Sequence, residues 1–296
     1  MTLDKNASPV KKISEKEFIA LCRLITEEDG PSLLILSNNF KAIIRSDPDW
    51  IHWVRSQKQF DPCAKIHKLM HEFHWNEIEH GFKRLWISEG RNLDLEEGLY
   101  YLSTLIEPEI TREEFGQPLK LMAAELQKLL NDVHTFDQMV RTFRSYLFET
   151  QGFKGNSANY YDPLNSFLHK VLARKIGIPI SLCCLCLLLA QKVYWENKPI
   201  PLIGIGLPSH FIVLFQYKNK SIYMDPFHRG KILAREDCIE ILRHNDIDFK
   251  ESYLDPVDPH MILCRTINNL LHIYSDLGEA ALSQQLLRCL QALNAP

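Results

Sequence analysis

The sequence predicts an α+β fold, in which a central helix lies on a small antiparallel sheet between predominantly helical N- and C-terminal regions. Apolar residues recur with a helical period through most of the chain, alternate with a period of two after Pro201, and return to helical spacing near the C-terminus. The 296 residues, 46% of them hydrophobic, are enough to build a sizeable core. The longest apolar run, residues 182–190, is far shorter than the ~20 residues of a membrane span.

Charge and cysteine usage exclude several classes of protein. The formal net charge of -3 gives no electrostatic basis for binding nucleic acid or an anionic membrane. The segment "MTLDKNASPVKK" lacks the apolar stretch of a secretory signal. The eight cysteines form no CxxC pair, and several lie on apolar helical faces, which is typical of reduced thiols in the cytoplasm. We therefore expect a cytoplasmic protein with no membrane association and no cofactor.

The N-terminal third is predicted to be helical after a polar tail. Residues 1–12 form the tail, and residues 13–91 form the helical region. In "SEKEFIALCRLI", Ser14 and Glu17 make a capping-box pattern, and the apolar residues that follow share one helix face. Short antiparallel helices fit this region, and it shows no convincing repeat.

Residues 92–250 are predicted to be helical first and then to form strands. Asp162 and Pro163 are a helix-start signal, and Gly177 is placed to end that helix. The next segment, "RKIGIPISLCCLCLLLAQ", has the composition of a buried helix that contains three cysteines. We expect the strands "LIGIG", "HFIVLFQY" and "SIYMD", the last two joined by a hairpin turn at "KNK".

The C-terminal region, residues 251–296, is predicted to form a helical hairpin. Two apolar stripes with the same helical spacing flank the short segment "SDLG". Leu263 to Tyr274 and Leu282 to Leu293 present too much apolar surface to remain in water. We therefore expect the hairpin to pack on the core of this chain.

Three groups that could carry chemistry are predicted to lie near one another. They are the N-terminus of the cysteine-rich helix, His210 in a strand, and Asp225 at the end of the next strand. A thiol at a helix N-terminus has a lowered pKa, a nearby histidine accepts its proton, and an aspartate orients that histidine. From spacing alone the alternative is a buried helix beside a strand-end histidine in solvent, and the pattern favours this second interpretation.

Several stretches resemble the SirB-type branch of the transglutaminase-like superfamily. The core motifs are "NYYDPLNSFLHKVLARKIGIPISL", "GIGLPSHFIVLF" and "MDPF", and the helical lead-in is "LDLEEGLYYLSTLIEPEI" with "LFETQGFKGN". The C-terminal hairpin resembles the tetratricopeptide-like tail that often follows this branch. The resemblance covers about residues 92–296, so it implies a transglutaminase-like domain with its lead-in at 92–250. It also implies a papain-like core, whose central helix bears the nucleophile position and whose antiparallel sheet bears His and Asp.

The resemblance also implies that the usual nucleophile is replaced. Active members resemble G-x-C-x-x-x-A at the helix start, and an ungapped match to "GIPISLC" puts the nucleophile at Pro179. The histidine then falls at His210 and the aspartate at Asp225. Ser181 lies ~200° around the helix from position 179, and Cys183 lies one turn, ~6 Å, further into the core. A thiol in such apolar surroundings has a raised pKa, which suppresses the thiolate.

A second cluster of potential ligands lies in "CAKIHKLMHEFH". Cys63, His67, His71 and His74 are spaced by four, four and three residues, so they share a helix face. Zinc sites use histidines at such spacing, but no further ligand is clearly positioned. We favour a polar helix face and predict no metal site.

Two functions from different classes follow. The first is a non-catalytic transglutaminase-like protein, a pseudoenzyme that serves as a binding or scaffolding module, whose partner is another protein. The second is a cysteine-dependent acyl-transfer enzyme, a protease or transglutaminase, with Cys183, His210 and Asp225 as its catalytic groups. We favour the binding module, with these binding residues: Asn165, Pro179, Ser181, His210 and Asp225.

Overall fold

The computed structural model describes residues 13–47, 49–56 and 64–295 of the chain. The chain divides into two compact units, Met1–Glu77 and Ile78–Pro296. The polar tail predicted for residues 1–12, and Cys63 of the histidine-rich segment, lie outside the described residues. In the described part of the chain, no helix is both long enough and apolar enough to cross a membrane.

The first unit is built from helices. These are α1 (Glu15–Glu27), α2 (Ser32–Ser46), α3 (Asp49–Ser56) and the first part of α4 (Ala64–Glu89). The capping box predicted for α1 is confirmed, because Ser14 Oγ accepts the Glu17 N–H and the Glu17 carboxylate accepts the Ser14 N–H. Phe18 is fully buried and contacts the rings of Phe40 and Trp50 in the core of this unit.

The helices of the second unit surround one that is buried on every side. This central helix is α9 (Pro179–Lys192), and all residues from 179 to 190 are buried. A helix that is apolar all round belongs in a core, and its small cysteines let neighbouring elements approach closely. The other α-helices are the second part of α4, α5 (Leu95–Ile106), α6 (Arg112–Leu130), α7 (Phe136–Ser145), α8 (Leu168–Arg174), α10 (Arg235–Arg243), α11 (Pro259–Asp276) and α12 (Ala280–Ala292).

Three small sheets complete the unit. The largest is antiparallel, with four strands in sequence order: β5 (Leu202–Ile205), β6 (Ile212–Tyr217), β7 (Lys220–Asp225) and β8 (Lys231–Leu233). The helix α9 packs against β5 and β6 of this sheet. The other two sheets pair β1 (Lys154–Gly155) with β2 (Ile176–Gly177) and β3 (Tyr194–Trp195) with β4 (Lys198–Pro199). The observed fold is therefore helix-rich with small sheets, as an α+β class requires.

The helix predicted between Asp162 and Gly177 is shorter than expected. Residues Pro163–Asn165 form a 3-10 turn, α8 begins only at Leu168, and it ends at Arg174 with Lys175 as its C-cap. Lys175 adopts a left-handed conformation (φ 60°), and its carbonyl accepts the Lys154 N–H at 3.1 Å. This bond offsets the conformational cost of a left-handed residue other than glycine. Because Lys175 caps the helix, the prediction that Gly177 ends it is wrong.

The C-terminal helical hairpin packs on the core of its own unit, as the sequence predicts. Helix α11 lies against α5, α9 and α12. Leu263, Ile267 and Leu270 on α11 are fully buried, and so are Leu286 on α12 and Leu293 just after it. A Cβ on Gly98 of α5 would lie 2.5 Å from a Leu263 methyl, which shows how closely α5 and α11 approach.

Candidate functional site

His210 and Asp225 form a hydrogen-bonded pair at one end of the four-stranded sheet. His210 Nε2 lies 2.9 Å from Asp225 Oδ2, which confirms the predicted approach of the two side chains. Asp225 is the last residue of β7, whereas His210 lies two residues before β6 begins. The offset between them is absorbed by a turn that ends in His210, where Ser209 has φ 61° and the His210 N–H donates to the Leu207 carbonyl. His210 therefore lies in a turn before β6 and not in the strand predicted for it from the sequence.

Asp225 makes hydrogen bonds with two histidines and with the backbone of the loop that follows it. Its Oδ1 accepts the N–H groups of Phe227 and His228, at 2.9 and 3.3 Å. Its Oδ2 faces His210 Nε2 and also His228 Nδ1, the latter at 2.7 Å. Burial alone would raise the pKa of this carboxyl, but the hydrogen bonds from His210 and His228 outweigh burial and lower the pKa. Asp225 is 1% exposed, so it is a buried carboxylate whose acceptor sites are satisfied.

Cys183 is not placed to act as an accessible nucleophile. Its side chain is fully buried, and its thiol donates to the Phe211 carbonyl at 3.4 Å. Burial raises the pKa of Cys183 well above its ordinary value, and nearby Cys186 and Asp225 raise it further. Because the thiolate is the reactive form of cysteine, both effects oppose nucleophilic chemistry.

Two adjoining cavities open beside His210. The first has a volume of about 300 Å³, and the second about 680 Å³. Both are lined by Tyr160, Pro179, Ser209 and His210. Pro179 therefore occupies the pocket wall next to His210, at the N-terminus of α9, and Cys183 belongs to neither cavity wall.

Helix α11 contributes a wall of the smaller cavity that sequence reasoning missed. Arg265, Asn268, Asn269 and His272 line it. Arg265 Nη2 donates to the carbonyls of Leu207 and His210, at 2.9 and 3.1 Å, and so fastens the turn that carries His210. The i, i+3, i+4 and i+7 spacing of these four polar residues places them on one helix face and could have revealed this wall.

Asn165 and Ser181 support the site from behind and line neither cavity. The Ser181 hydroxyl accepts the Ile178 N–H at 3.0 Å and donates to the Asn165 carbonyl at 2.6 Å. Asn165 Nδ2 in turn donates to the carbonyls of Asn159 and Tyr160. Both residues are buried, so they fix the start of α9 relative to the loop that carries Tyr160.

One group of potential metal ligands occurs in the described part of the chain. The ligand atoms of His210, Asp225 and His228 lie within 4.8 Å of one another, close enough for a single cation to reach all three. The two histidine–aspartate hydrogen bonds account for this spacing without an ion.

In the first unit, the His71 ring lies 4.0 Å from that of Trp75, and the histidines of α4 belong to no such group among the described residues.

The described cysteines are free, and their burial predicts slow labelling. They are Cys22, Cys183, Cys184, Cys186, Cys238, Cys264 and Cys289, and all except Cys264 are buried. Burial raises the pKa of Cys184 and of Cys289 to about 12. We expect a maleimide to label the native protein slowly, with Cys264 the first of these residues to react, and denaturation to expose them all. Rapid native labelling of Cys183 would contradict this prediction; mass spectrometry of digested protein identifies the site.

The fold and the site together define a helix-rich α+β protein with a His–Asp pair beside the N-terminus of its central helix. This chain belongs to the transglutaminase-like superfamily, whose family model matches residues 113–268. The matched span includes α9, the four-stranded sheet, His210 and Asp225.

Relatives of two kinds match about half of the chain. A UPF0162 protein of Xylella fastidiosa is 31% identical over 157 residues, which are 51% of this chain and 54% of the relative. A UPF0162 protein of Vibrio cholerae is 32% identical over 146 residues, 48% of this chain and 51% of the relative. Human F-box only protein 21 is 30% identical over 170 residues, 53% of this chain and 24% of the relative. The matched segment thus spans about half the length of the bacterial relatives, and no solved structure matches the chain.

Proposed function

We propose that this chain is a non-catalytic transglutaminase-like module that binds part of another protein in the cavities beside His210. The observation that carries this proposal is that a proline, and not a cysteine, lines the cavities at the N-terminus of α9. Pro179, which the family resemblance places at the nucleophile position, lines both cavities with His210. Proline has no nucleophilic group, and the nearest thiol on the same helix face, Cys183, is buried one turn further along.

The His–Asp pair supports binding as readily as it supports catalysis. Asp225 fixes the ring of His210 through a 2.9 Å hydrogen bond, so the ring forms a rigid polar feature of the cavity wall.

Several finer assignments belong to the same proposal. They are a SirB-type branch, a papain-like core formed by α9 and the sheet, and a tetratricopeptide-like C-terminal hairpin. We also propose that the chain divides into four parts, after residues 12, 91 and 250, and that the protein is cytoplasmic. The packing of α9 on β5 and β6 supports the papain-like arrangement.

The competing function is a cysteine-dependent acyl transferase or protease that uses Cys183. The one observation in its favour is that the Cys183 thiol contacts the carbonyl of Phe211, the residue that follows His210. The two functions are separated by assaying peptidase and transamidase activity on casein and on a glutamine donor peptide. We expect the wild type, Cys183→Ala and His210→Ala to be equally inactive. Activity in the wild type that both substitutions abolish would overturn the non-catalytic assignment.

Restoring a thiol at the nucleophile position tests the assignment of Pro179. We expect Pro179→Cys to react rapidly with iodoacetamide, because the N-terminus of α9 and the adjacent His210 both stabilise a thiolate there. The rate against pH should give a thiol pKa below the ordinary value of about 8.5. An exposed site on α12 provides the control, since Leu287 is 44% exposed and lines neither cavity.

The outcomes of the thiol experiment are distinct. If Leu287→Cys titrates normally and Pro179→Cys titrates at lower pH, the pocket wall at residue 179 corresponds to a nucleophile position. If both cysteines titrate alike, the ungapped match that assigns Pro179 to this position is wrong. Adding His210→Ala to Pro179→Cys should return the thiol pKa toward its ordinary value.

A further inference from the structure

We propose that the smaller cavity binds a carboxylate, and that this carboxylate is the C-terminus of a peptide whose preceding residues lie in the larger cavity. The inference rests on the proposed binding function, because it names the ligand class of the same site. Three features of the cavities carry it: the charge of their walls, the position of Arg265, and the N-terminus of α9.

The cavity walls contain cationic and neutral polar groups and no acidic side chain among the described residues. The smaller cavity has Arg265, His210 and His272, and the larger one adds His228 and His244. Asp225 lies beneath His210 and His228 and is 1% exposed, so its charge is covered by the two rings. Among these groups Arg265 carries a permanent positive charge, and a cavity lined by one sign of charge attracts the opposite sign.

Arg265 is a partly buried cation that contacts backbone carbonyls and the ring of Phe211 but forms no ion pair within the described residues. Its Nη2 is occupied by the carbonyls of Leu207 and His210, which hold the guanidinium in place. Gly206 makes room for it, since a Cβ there would lie 2.7 Å from Arg265 Nη1. A desolvated guanidinium without a carboxylate is costly, and a ligand carboxylate offsets that cost with charge-assisted hydrogen bonds.

The N-terminus of α9 brings a second positive feature to the same cavity. Ile178, Pro179 and Ile180 all line it, and α9 has 14 residues, long enough for a substantial helix dipole. In an enzyme with a cysteine here, a thiolate would supply the negative charge at this position. Pro179 supplies none, so the matching negative charge has to come from the ligand.

The shape of the cavities favours a peptide terminus over a free small anion. A volume of about 300 Å³ accommodates one residue, and the second cavity of about 680 Å³ continues from it past their four shared lining residues. Because Nη2 of Arg265 is engaged by two backbone carbonyls, its Nε and Nη1 groups are the ones left to donate to a ligand carboxylate. Tyr160 lies at the junction, and burial raises the pKa of its hydroxyl, which therefore remains a neutral donor.

The proposal is tested with two degenerate tetrapeptide libraries that carry the same N-terminal fluorophore. One library ends in free carboxylates and the other in C-terminal amides, and fluorescence polarisation reports binding to the full chain. We expect the free-acid library to bind about tenfold or more tightly than the amide library, since a charge-assisted contact is lost in the amide. Acetate should compete with the acid library more effectively than inorganic phosphate.

A charge substitution on the cavity wall supplies the matched variant. Asn268 is exposed on α11 and lines the smaller cavity, so Asn268→Asp adds a negative charge there with little effect on packing. We expect it to weaken binding of the acid library about tenfold and to leave binding of the amide library unchanged. Gln284→Glu adds the same charge on α12 outside both cavities and should change neither.

Each contrary outcome would show which part of the proposal is wrong. Equal binding of the two libraries, or no effect of Asn268→Asp, would overturn the carboxylate assignment and leave a binding module. Stronger competition by phosphate than by acetate would identify a phosphate site instead. The absence of binding by both libraries would also overturn this inference, whereas the non-catalytic assignment is decided separately by the activity assays.

Discussion

Deletion of residues 257–296 is expected to leave a chain that does not fold. The deletion removes α11, whose Leu263, Ile267 and Leu270 are fully buried against the rest of the unit. Burying each such side chain contributes about 1.5–3 kcal/mol, and a whole domain is stable by only about 5–15 kcal/mol. Soluble yield and the cooperativity of thermal unfolding by circular dichroism measure the effect. A truncated protein with an unchanged melting temperature would show that the hairpin is an independent arm.

Single substitutions in the hairpin give the same test without a truncation. Leu263→Ala removes a fully buried side chain that meets Gly98 of α5, and it should cost about 2–5 kcal/mol in the free energy of unfolding. Leu287→Ala removes the same atoms from a side chain that is 44% exposed on α12, and it should cost about 1 kcal/mol or less. Urea unfolding of the two variants compares them directly, and equal losses would mean that α11 is not part of the core.

Asp225→Ala is expected to destabilise the protein by about 2–4 kcal/mol, because it removes the acceptor of four hydrogen bonds at a buried position. Asp237→Ala is the control. Asp237 accepts a single bond from the Ala234 N–H at the exposed start of α10, so its loss should cost about 1 kcal/mol. Chemical denaturation measures both, and similar losses would contradict the central role of Asp225.

The pH dependence of the same carboxyl has a defined sign. The folded-state pKa of Asp225 is lowered, so its stabilisation is present above the unfolded pKa of about 4 and is lost as pH falls through the lower folded pKa. The stability difference between wild type and Asp225→Asn should therefore be constant near neutral pH and shrink below about pH 4. A difference that stays constant down to pH 2 would show that the charge on Asp225 does not stabilise the fold.

Most of the architecture could be predicted from the sequence, because periodicity and cap residues are local signals. The switch from helical spacing to alternation marks β5, β6 and β7 to within two residues but not β8 or the two-stranded pairs, and Ser14 and Glu17 mark the start of α1. The end of α8 could not be predicted in this way. There a long-range pairing, Lys154 with Ile176, stabilises a left-handed Lys175 and removes the need for glycine.

The candidate site was predictable only where its residues are close in sequence. His210 and Asp225 are 15 residues apart in one hairpin, so strand alternation and turn position bring them together. Arg265 lies 55 residues beyond His210, and no local pattern links it to the turn that it fastens. His228 follows Asp225 by only three residues, but its hydrogen bond with Asp225 depends on the geometry of the turn after β7.

The bond between Arg265 and the His210 carbonyl has a consequence for how the protein is made. A ribosome adds about 5–20 residues per second, so Arg265 emerges roughly 3–11 seconds after the turn that it holds. During that interval the apolar surface of α9 that α11 later covers is open to water and to other nascent chains. The cavities beside His210 therefore mature only after α11 has been made, and slow synthesis of α11 would lengthen the period in which the chain is prone to aggregate.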